Sequence, residues 1–172
     1  PIETAVERLI FGKCLNAGQI CVAPDYVLCP EDKIDELIKA YQARFNKMYP
    51  DFDHNPDYGN IINDNQFARL MKVIDDAKSK GARIVSASNT ATAIDKRKLA
   101  TQLMTQVNPD MLVMQDEIFG PILPIIGYKS VDEAIGYVNQ RDRPLALYIL
   151  SFDSSTQTHI LQHTHSGGVC IN

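Results

Sequence analysis

Short apolar segments of strand length alternate with amphipathic segments of helical period along this 172-residue chain. This alternation restricts the fold more than any other feature, because strands separated by helices form layered sheets in which some neighbouring strands run parallel. We therefore predict an α/β fold, with a layered, partly parallel sheet and helices on both faces. Neither a repeat nor a linker divides the sequence, so residues 1–172 are expected to form a single domain.

The periodic segments and the turn-forming residues between them predict the individual elements. Helices are predicted at Ile2–Leu15, Glu31–Lys47, Asn65–Lys80, Ser130–Val138 and Ser154–His163. Strands are predicted at Tyr26–Cys29, Arg83–Val85, Leu99–Val107, Pro121–Tyr128, Leu145–Phe152 and Gly168–Ile171. Loops are predicted at Met48–Asn63 and Ser86–Lys98.

Composition excludes several classes of protein. A net charge of −4 without a block of Lys and Arg argues against nucleic-acid binding. No apolar run approaches the ~20 residues that span a bilayer, and the opening Pro-Ile-Glu-Thr is not a signal peptide. The four cysteines match no zinc-site spacing. We interpret them as reduced thiols of a cytoplasmic protein, and the start at proline predicts a piece of a longer one.

Cys21 lies in the segment Asn16–Pro24, which reads Asn-Ala-Gly-Gln-Ile-Cys-Val-Ala-Pro. Gly18 and Pro24 break regular structure, so the thiol is expected on a turn between two ordered elements. Reactive groups concentrate on such loops, whereas a structural cysteine usually lies inside a helix or strand. The alternative is a buried, inert thiol, which is the commoner environment of an arbitrary cysteine.

Two further segments follow in order, Glu117–Pro121 (Glu-Ile-Phe-Gly-Pro) and Ser166–Asn172 (Ser-Gly-Gly-Val-Cys-Ile-Asn). Together with the segment around Cys21 they resemble the nucleophile loop, the cofactor-contact motif and a late catalytic-domain segment of the aldehyde dehydrogenases. Arg143–Tyr148 and Ala23–Val27 resemble the branch that handles fatty and aromatic aldehydes, including the coniferyl aldehyde dehydrogenases.

The resemblance implies a chemistry for three side chains. Cys21 would attack the aldehyde as a thiolate, giving a thiohemiacetal whose oxyanion accepts a hydrogen bond from the Cys21 N–H. A hydride would then pass to NAD or NADP, and water would hydrolyse the remaining thioester. Glu117 would accept hydrogen bonds from the nicotinamide ribose, and Phe119 would pack beside the nicotinamide. Alternatively, Glu117 is a local cap and Phe119 a core residue.

The resemblance also implies what the chain does not contain. In the family the general-base glutamate, the oxyanion asparagine and the dinucleotide-binding domain precede the cysteine loop. We therefore expect a catalytic-domain fragment, inactive alone, of an enzyme that oxidises a coniferyl, fatty or other aldehyde as a homo-oligomer, a dimer. The alternative from another class is a non-catalytic binding or scaffolding module that keeps the fold.

A histidine cluster near the end of the chain raises the question of a metal site. His159 and His163 have the i, i+4 spacing that places two side chains on one helix face, and His165 follows them. No His-Glu-x-x-His pattern accompanies them, and Gly167 ends the segment soon afterwards. We therefore predict a solvated helix end and no metal.

Overall fold

The computed structural model describes residues 2–89 and 97–172. The described residues form five α-helices: α1 Ile2–Cys14, α2 Ile34–Met48, α3 Asp64–Ser79, α4 Val131–Asn139 and α5 Ser154–His163. They also form six strands: β1 Val27–Pro30, β2 Arg83–Ser86, β3 Gln102–Thr105, β4 Ile122–Tyr128, β5 Ala146–Ile149 and β6 Gly168–Ile171. Each predicted helix and strand is present, with bounds that differ by a few residues.

The main sheet has the strand order β1-β4-β3-β2. β4 runs parallel to both β1 and β3, whereas β2 runs antiparallel to β3. All four residues of β3 and the first four of β4 are buried. Because successive side chains of a strand point to opposite faces, both faces of the sheet are covered at its centre. The predicted α/β fold with a partly parallel sheet is confirmed.

A second, two-stranded sheet is formed by β5 and β6, which pair in parallel with Tyr148 opposite Cys170. All four residues of β6 are exposed. This small sheet places Tyr148 close to the segment that carries Cys21, as described below.

The helices contribute the faces that their period predicts. α2 buries Leu37, Ile38, Tyr41 and Phe45, and α1 packs against it. α3 buries Phe67, Leu70, Val73 and Ala77. Met71 and Ile74 of α3 are half-buried and also pack against the core.

Helix ends follow the local capping chemistry. The Ser130 hydroxyl accepts a hydrogen bond from Glu133 N–H, and the Glu133 carboxylate accepts one from Lys129 N–H. This resembles a capping box, except that the carboxylate bonds the N–H of Lys129 and not that of the N-cap residue Ser130. α3 stops before Gly81, whose φ of +95° is readily adopted only by glycine.

Three boundaries differ from the prediction. A 3₁₀ turn at Glu31–Lys33 precedes α2, which begins at Ile34 rather than Glu31, and Lys33 at the junction has a φ of −107° and a ψ of −4°. The strand predicted at Leu99–Val107 is regular only at Gln102–Thr105. In the predicted loop Ser86–Lys98, residues 90–96 lie outside the described residues. Among the described residues, no helix has the length and apolar character needed to cross a membrane.

Lys13 is an unusual core residue, since its side chain is fully buried near the end of α1. Burial lowers the pKa of Lys13 from 10.5 to about 8, and the charges of Asp25 and Cys14 oppose that shift. The folded protein therefore bears the cost of a buried charge below pH 8, and that cost disappears as pH rises towards 10.5.

We predict that Lys13→Met raises the free energy of unfolding at pH 7 by up to about 3 kcal/mol, the free-energy equivalent of the pKa change. The two proteins should converge in stability by about pH 10.5, where the lysine is neutral in both states. Urea unfolding of both proteins at several pH values between 7 and 10.5 measures this. A stability difference that stays constant with pH would contradict the prediction.

Candidate active site around Cys21

Cys21 lies on a turn with an exposed thiol, as its flanking residues predict. Ala23 N–H donates to the Ile20 carbonyl over 3.0 Å, which places Cys21 and Val22 in the middle of the turn. Within the part of the chain that the structure describes, the N–H groups of Ile20, Cys21 and Val22 meet no hydrogen-bond acceptor. The turn therefore presents a thiol and unpaired backbone donors on the same exposed surface.

The other cysteines have different surroundings. All four are free, but Cys14 and Cys29 are buried. Burial raises the pKa of Cys14 to about 11, although hydrogen bonds to Thr101 and Tyr41 oppose the shift. Burial also raises the pKa of Cys29 to about 11. Because a thiolate is the reactive species, these two thiols are poor nucleophiles near neutral pH.

The residues that lead into the turn have a strained backbone. Asn16, Ala17 and Gly18 have φ values of 49°, 53° and 74°, so three successive residues lie in the left-handed region. Ala17 is also fully buried. This conformation costs a non-glycine residue about 1–2 kcal/mol, and such strain is characteristic of functional loops.

The Gln19 side chain holds the strained segment in place. Its amide nitrogen donates to the carbonyls of Asn16, over 2.9 Å, and Asn60, over 3.1 Å. Its amide oxygen accepts a hydrogen bond from Ile62 N–H over 2.9 Å. Gln19 therefore ties the cysteine segment to the 60–62 segment, which lies just before α3.

The 60–62 segment contains the buried Ile61 and follows a long loop that is packed by an aromatic cluster. Phe45 contacts Tyr49, Phe52 and Tyr58, with ring centroids 5.1–5.7 Å apart. Phe52 and Tyr58 lie 4.9 Å apart, and both are buried together with Ile61. The predicted loop is confirmed as irregular, but these rings pack it like a part of the core.

Gly18 and Gly120 bring the cysteine segment against the predicted cofactor motif. A methyl group at Gly18 would lie 2.5 Å from the Gly120 carbonyl oxygen. A methyl group at Gly120 would lie 2.5 Å from a methyl carbon of Leu70 in α3. The missing side chain of Gly18 is what allows the two backbones to approach so closely, and the missing side chain of Gly120 leaves room for Leu70.

The predicted cofactor residues Glu117 and Phe119 are both exposed, whereas Ile118 between them is buried. Asp25 accepts a hydrogen bond from Ile118 N–H over 3.1 Å, and Arg69 donates to the Ile118 carbonyl over 2.6 Å. The N–H and the carbonyl of Ile118 are thus both hydrogen-bonded. The alternative in which Phe119 is a core residue is wrong, since 43% of it is exposed and its φ is 46°.

Tyr148 holds the far side of the turn, because its hydroxyl donates to the Val22 carbonyl over 2.7 Å. Burial raises the pKa of Tyr148, and Cys170 and Cys21 add to that shift. The phenol consequently keeps its proton and remains a donor near neutral pH.

Sequence reasoning missed the roles of Gln19, Asp25, Arg69 and Tyr148. Asp25 and Tyr148 lie inside the quoted motif segments, and Gln19 lies beside the cysteine, so proximity to a motif was a usable signal for three of them. No local signal marks Arg69, which contacts Ile118 across 49 residues of sequence.

The histidines at the end of α5 form local contacts. His159 forms a hydrogen bond with Asp132 over 2.6 Å. The rings of His159 and His163 pack together, with their centroids 4.4 Å apart. No group of three or more His, Cys, Asp or Glu side chains among the described residues is arranged to hold a metal ion.

The family model of the aldehyde dehydrogenases matches residues 1–172. The chain belongs to the aldehyde dehydrogenase family. The predicted family is thereby confirmed, and members of this family use NAD or NADP. The roles assigned to Cys21, Glu117 and Phe119 stay predictions.

Individual relatives agree with this membership. This aldehyde dehydrogenase chain is 48% identical over 172 residues to a probable coniferyl aldehyde dehydrogenase of Pseudomonas aeruginosa, covering 100% of the chain and 36% of the relative. It is 42% identical over 169 residues to a coniferyl aldehyde dehydrogenase of a Pseudomonas species, covering 96% of the chain and 35% of that relative. The solved substrate-bound state of Staphylococcus aureus AldH has a TM-score of 0.91 at 40% identity, over 99% of this chain and 36% of that one. The chain therefore spans just over a third of the length of these proteins.

We predict that Gly18→Ala lowers the free energy of unfolding by about 2–4 kcal/mol, because the methyl group adds a backbone collision to the cost of a left-handed φ. Gly81→Ala is the matched control. Gly81 also has a positive φ, but its methyl group would meet nothing within 4 Å, so a loss of only about 1–2 kcal/mol is expected. Urea unfolding compares the two variants, and equal losses would show that the contact with Gly120 does not matter.

Proposed function

We propose that this chain is the thiol-bearing catalytic part of an enzyme that oxidises an aldehyde to the carboxylic acid with NAD or NADP. One observation carries the proposal: the exposed Cys21 lies on a turn that follows the strained residues Asn16 and Ala17, and Gly18 packs the chain before that turn against the Glu117–Pro121 segment. Family membership supports the same activity.

The geometry of the turn suits nucleophilic addition. The Cys21 thiolate forms a carbon–sulfur bond to the aldehyde carbon, and the carbonyl electron pair moves onto oxygen. The Cys21 N–H, which has no acceptor among the described residues, is available to stabilise that oxyanion. Left-handed φ values before the turn and the bond from Tyr148 after it keep the thiol and the donors on one surface.

The residues present fit a nicotinamide cofactor. Glu117 offers an exposed carboxylate, which can accept hydrogen bonds from two neighbouring ribose hydroxyls, and Phe119 offers an exposed flat ring. The two hydrogen bonds of Ile118 fix the backbone between Glu117 and Phe119. The bound cofactor would accept the hydride released from the thiohemiacetal, leaving a thioester for water to hydrolyse.

Exposed apolar side chains in the segments that form the site support the view that further protein covers this chain. Ile62, whose N–H bonds Gln19, and Phe119 are 72% and 43% exposed, and Phe11 in α1 is 68% exposed. Exposed apolar surface commonly marks contact with other protein. The chain spans 36% of the length of a relative such as the Pseudomonas aeruginosa protein. We propose that the general base, the oxyanion asparagine and the dinucleotide-binding domain are supplied by the rest of such a protein, so that this chain alone is inactive.

Finer features of the proposal rest on similarity alone. The relatives named coniferyl aldehyde dehydrogenase favour an aromatic aldehyde such as coniferyl aldehyde as the substrate, with fatty aldehydes as the second class. A homodimer in the cytoplasm is the proposed state of the full-length enzyme. The choice between NAD and NADP stays open.

We predict that Cys21→Ala in the full-length enzyme abolishes aldehyde-dependent NADH or NADPH formation, because no other described thiol lies on the turn. Cys29→Ala is the control and should keep its turnover, since Cys29 is buried in β1. Steady-state absorbance at 340 nm measures both variants. A Cys21→Ala turnover within about tenfold of wild type, a barrier change of ~1.4 kcal/mol, would remove Cys21 as the nucleophile.

Alkylation separates the enzyme from a non-catalytic module of the same fold. Iodoacetamide should modify Cys21 faster than the exposed Cys170 and much faster than Cys14 and Cys29, whose burial protects them. Peptide mapping by mass spectrometry reports each site. Equal modification of Cys21 and Cys170 would favour the module, in which the thiol has no special reactivity.

We predict that Glu117→Gln slows NADH formation in a single turnover by about ten- to a hundredfold, with little change in aldehyde binding. Glutamine keeps the size of the side chain but replaces one acceptor oxygen by a donor, so one charge-assisted bond of roughly 1.5–3 kcal/mol is lost. Rapid mixing separates NADH formation from the slower thioester hydrolysis.

Asp116→Asn is the matched control, because Asp116 is the neighbouring exposed carboxylate. It should leave the single-turnover rate unchanged. If Glu117→Gln behaves like Asp116→Asn, Glu117 has no part in cofactor binding.

A further inference from the structure

The turn that carries Cys21 is held differently on its two sides. Before the cysteine, the three hydrogen bonds of the Gln19 side chain fix the chain to Asn16, Asn60 and Ile62. After the turn, Asp25 is fixed by its bond to Ile118 N–H. Among the described residues, only one hydrogen bond joins residues 20–24 to another element, the bond from the Tyr148 hydroxyl to the Val22 carbonyl.

Tyr148 reaches the turn from a rigid position. It lies within β5, where it pairs with Cys170 of β6, and 126 residues separate it from Val22. A side chain on a paired strand holds its partner more firmly than one on a loop, because its own backbone does not move. The 2.7 Å distance to the Val22 carbonyl is that of a good O–H···O hydrogen bond.

The bonded carbonyl belongs to the third residue of the turn that Ile20 and Ala23 close. Fixing this carbonyl fixes the plane of the Val22–Ala23 peptide, and with it the rotation of the turn about the line between its ends. The directions of the Cys21 side chain and of the Cys21 N–H depend on that rotation. Neither direction is set by Gln19, which acts on the residues before Ile20 and on the 60–62 segment.

We propose that Tyr148 is a positioning residue for the nucleophile: its hydroxyl fixes the Val22 peptide so that the Cys21 thiol and the Cys21 N–H face the aldehyde together. The inference rests on the proposed function. The turn itself is closed by the bond from Ala23 N–H to the Ile20 carbonyl, and the Tyr148 bond only restrains its orientation. Loss of the Tyr148 hydroxyl therefore leaves the fold and the thiol intact. The loss affects a reaction that needs both groups in register, since small errors in position are costly for catalysis.

The test is Tyr148→Phe in the full-length enzyme, which removes the hydroxyl and keeps the ring. We expect kcat to fall about tenfold, with the KM values for aldehyde and cofactor within about twofold of wild type. The rate of Cys21 alkylation by iodoacetamide, and its dependence on pH, should stay within about twofold, because a small reagent attacks from any direction. This combination distinguishes orientation from a change in thiol ionisation.

Tyr128→Phe is the matched control, since Tyr128 is a half-buried tyrosine at the end of β4. It should keep wild-type kcat. A Tyr148→Phe kcat within about twofold of wild type overturns the inference. So does a fall in kcat that is accompanied by an equal fall in the alkylation rate or by a lower thermal midpoint. A wild-type enzyme without Cys21-dependent aldehyde oxidation would instead overturn the proposed function, and this inference with it.

Discussion

The close approach of Gly18 to the Gly120 carbonyl is the contact on which the site depends. It brings together two segments that lie about a hundred residues apart, and it requires that Gly18 carry no side chain. A methyl group at Gly18 would force the segments apart by more than a small adjustment, since the colliding atoms are backbone. The close packing of the cysteine segment on the predicted cofactor segment therefore depends on the absence of a Cβ atom at Gly18, and not on an attraction between functional groups.

Around this contact, some side chains form hydrogen bonds that fix the backbone, and others remain exposed and free to meet a ligand. The Gln19 side chain bonds backbone groups, Arg69 bonds the Ile118 carbonyl and the Gln66 side chain, and the aromatic cluster packs the loop before the 60–62 segment. Cys21 and Glu117 remain exposed at the surface that these bonds define. Such a division is what a reactive site requires, because a group that is used for structure is no longer free to meet a substrate.

Local features were predictable from the sequence, and long-range ones were not. The helical period, the glycine after α3 and the cap at Ser130 depend on residues within one or two turns, so the elements were predicted with only small errors in their bounds. The exposure of Cys21 followed from Gly18 and Pro24 in the same way. By contrast, Tyr148 meets Val22 across 126 residues and Arg69 meets Ile118 across 49. A single sequence contains no signal for such pairs, because either side chain could equally well lie on a solvent-exposed surface.

The strain before the cysteine can be weighed against the bonds that oppose it. Asn16 and Ala17 in the left-handed region cost about 1–2 kcal/mol each, while Gly18 costs little. The three bonds of Gln19 and the bond from Asn16 to the Gln19 carbonyl contribute about 0.5–1.5 kcal/mol each. The two sums are of similar size, so the segment keeps its conformation only while most of these bonds are made. Because two of the partners, the Asn60 carbonyl and the Ile62 N–H, flank Ile61, which is buried in the hydrophobic core, the conformation beside the thiol is supported by that core.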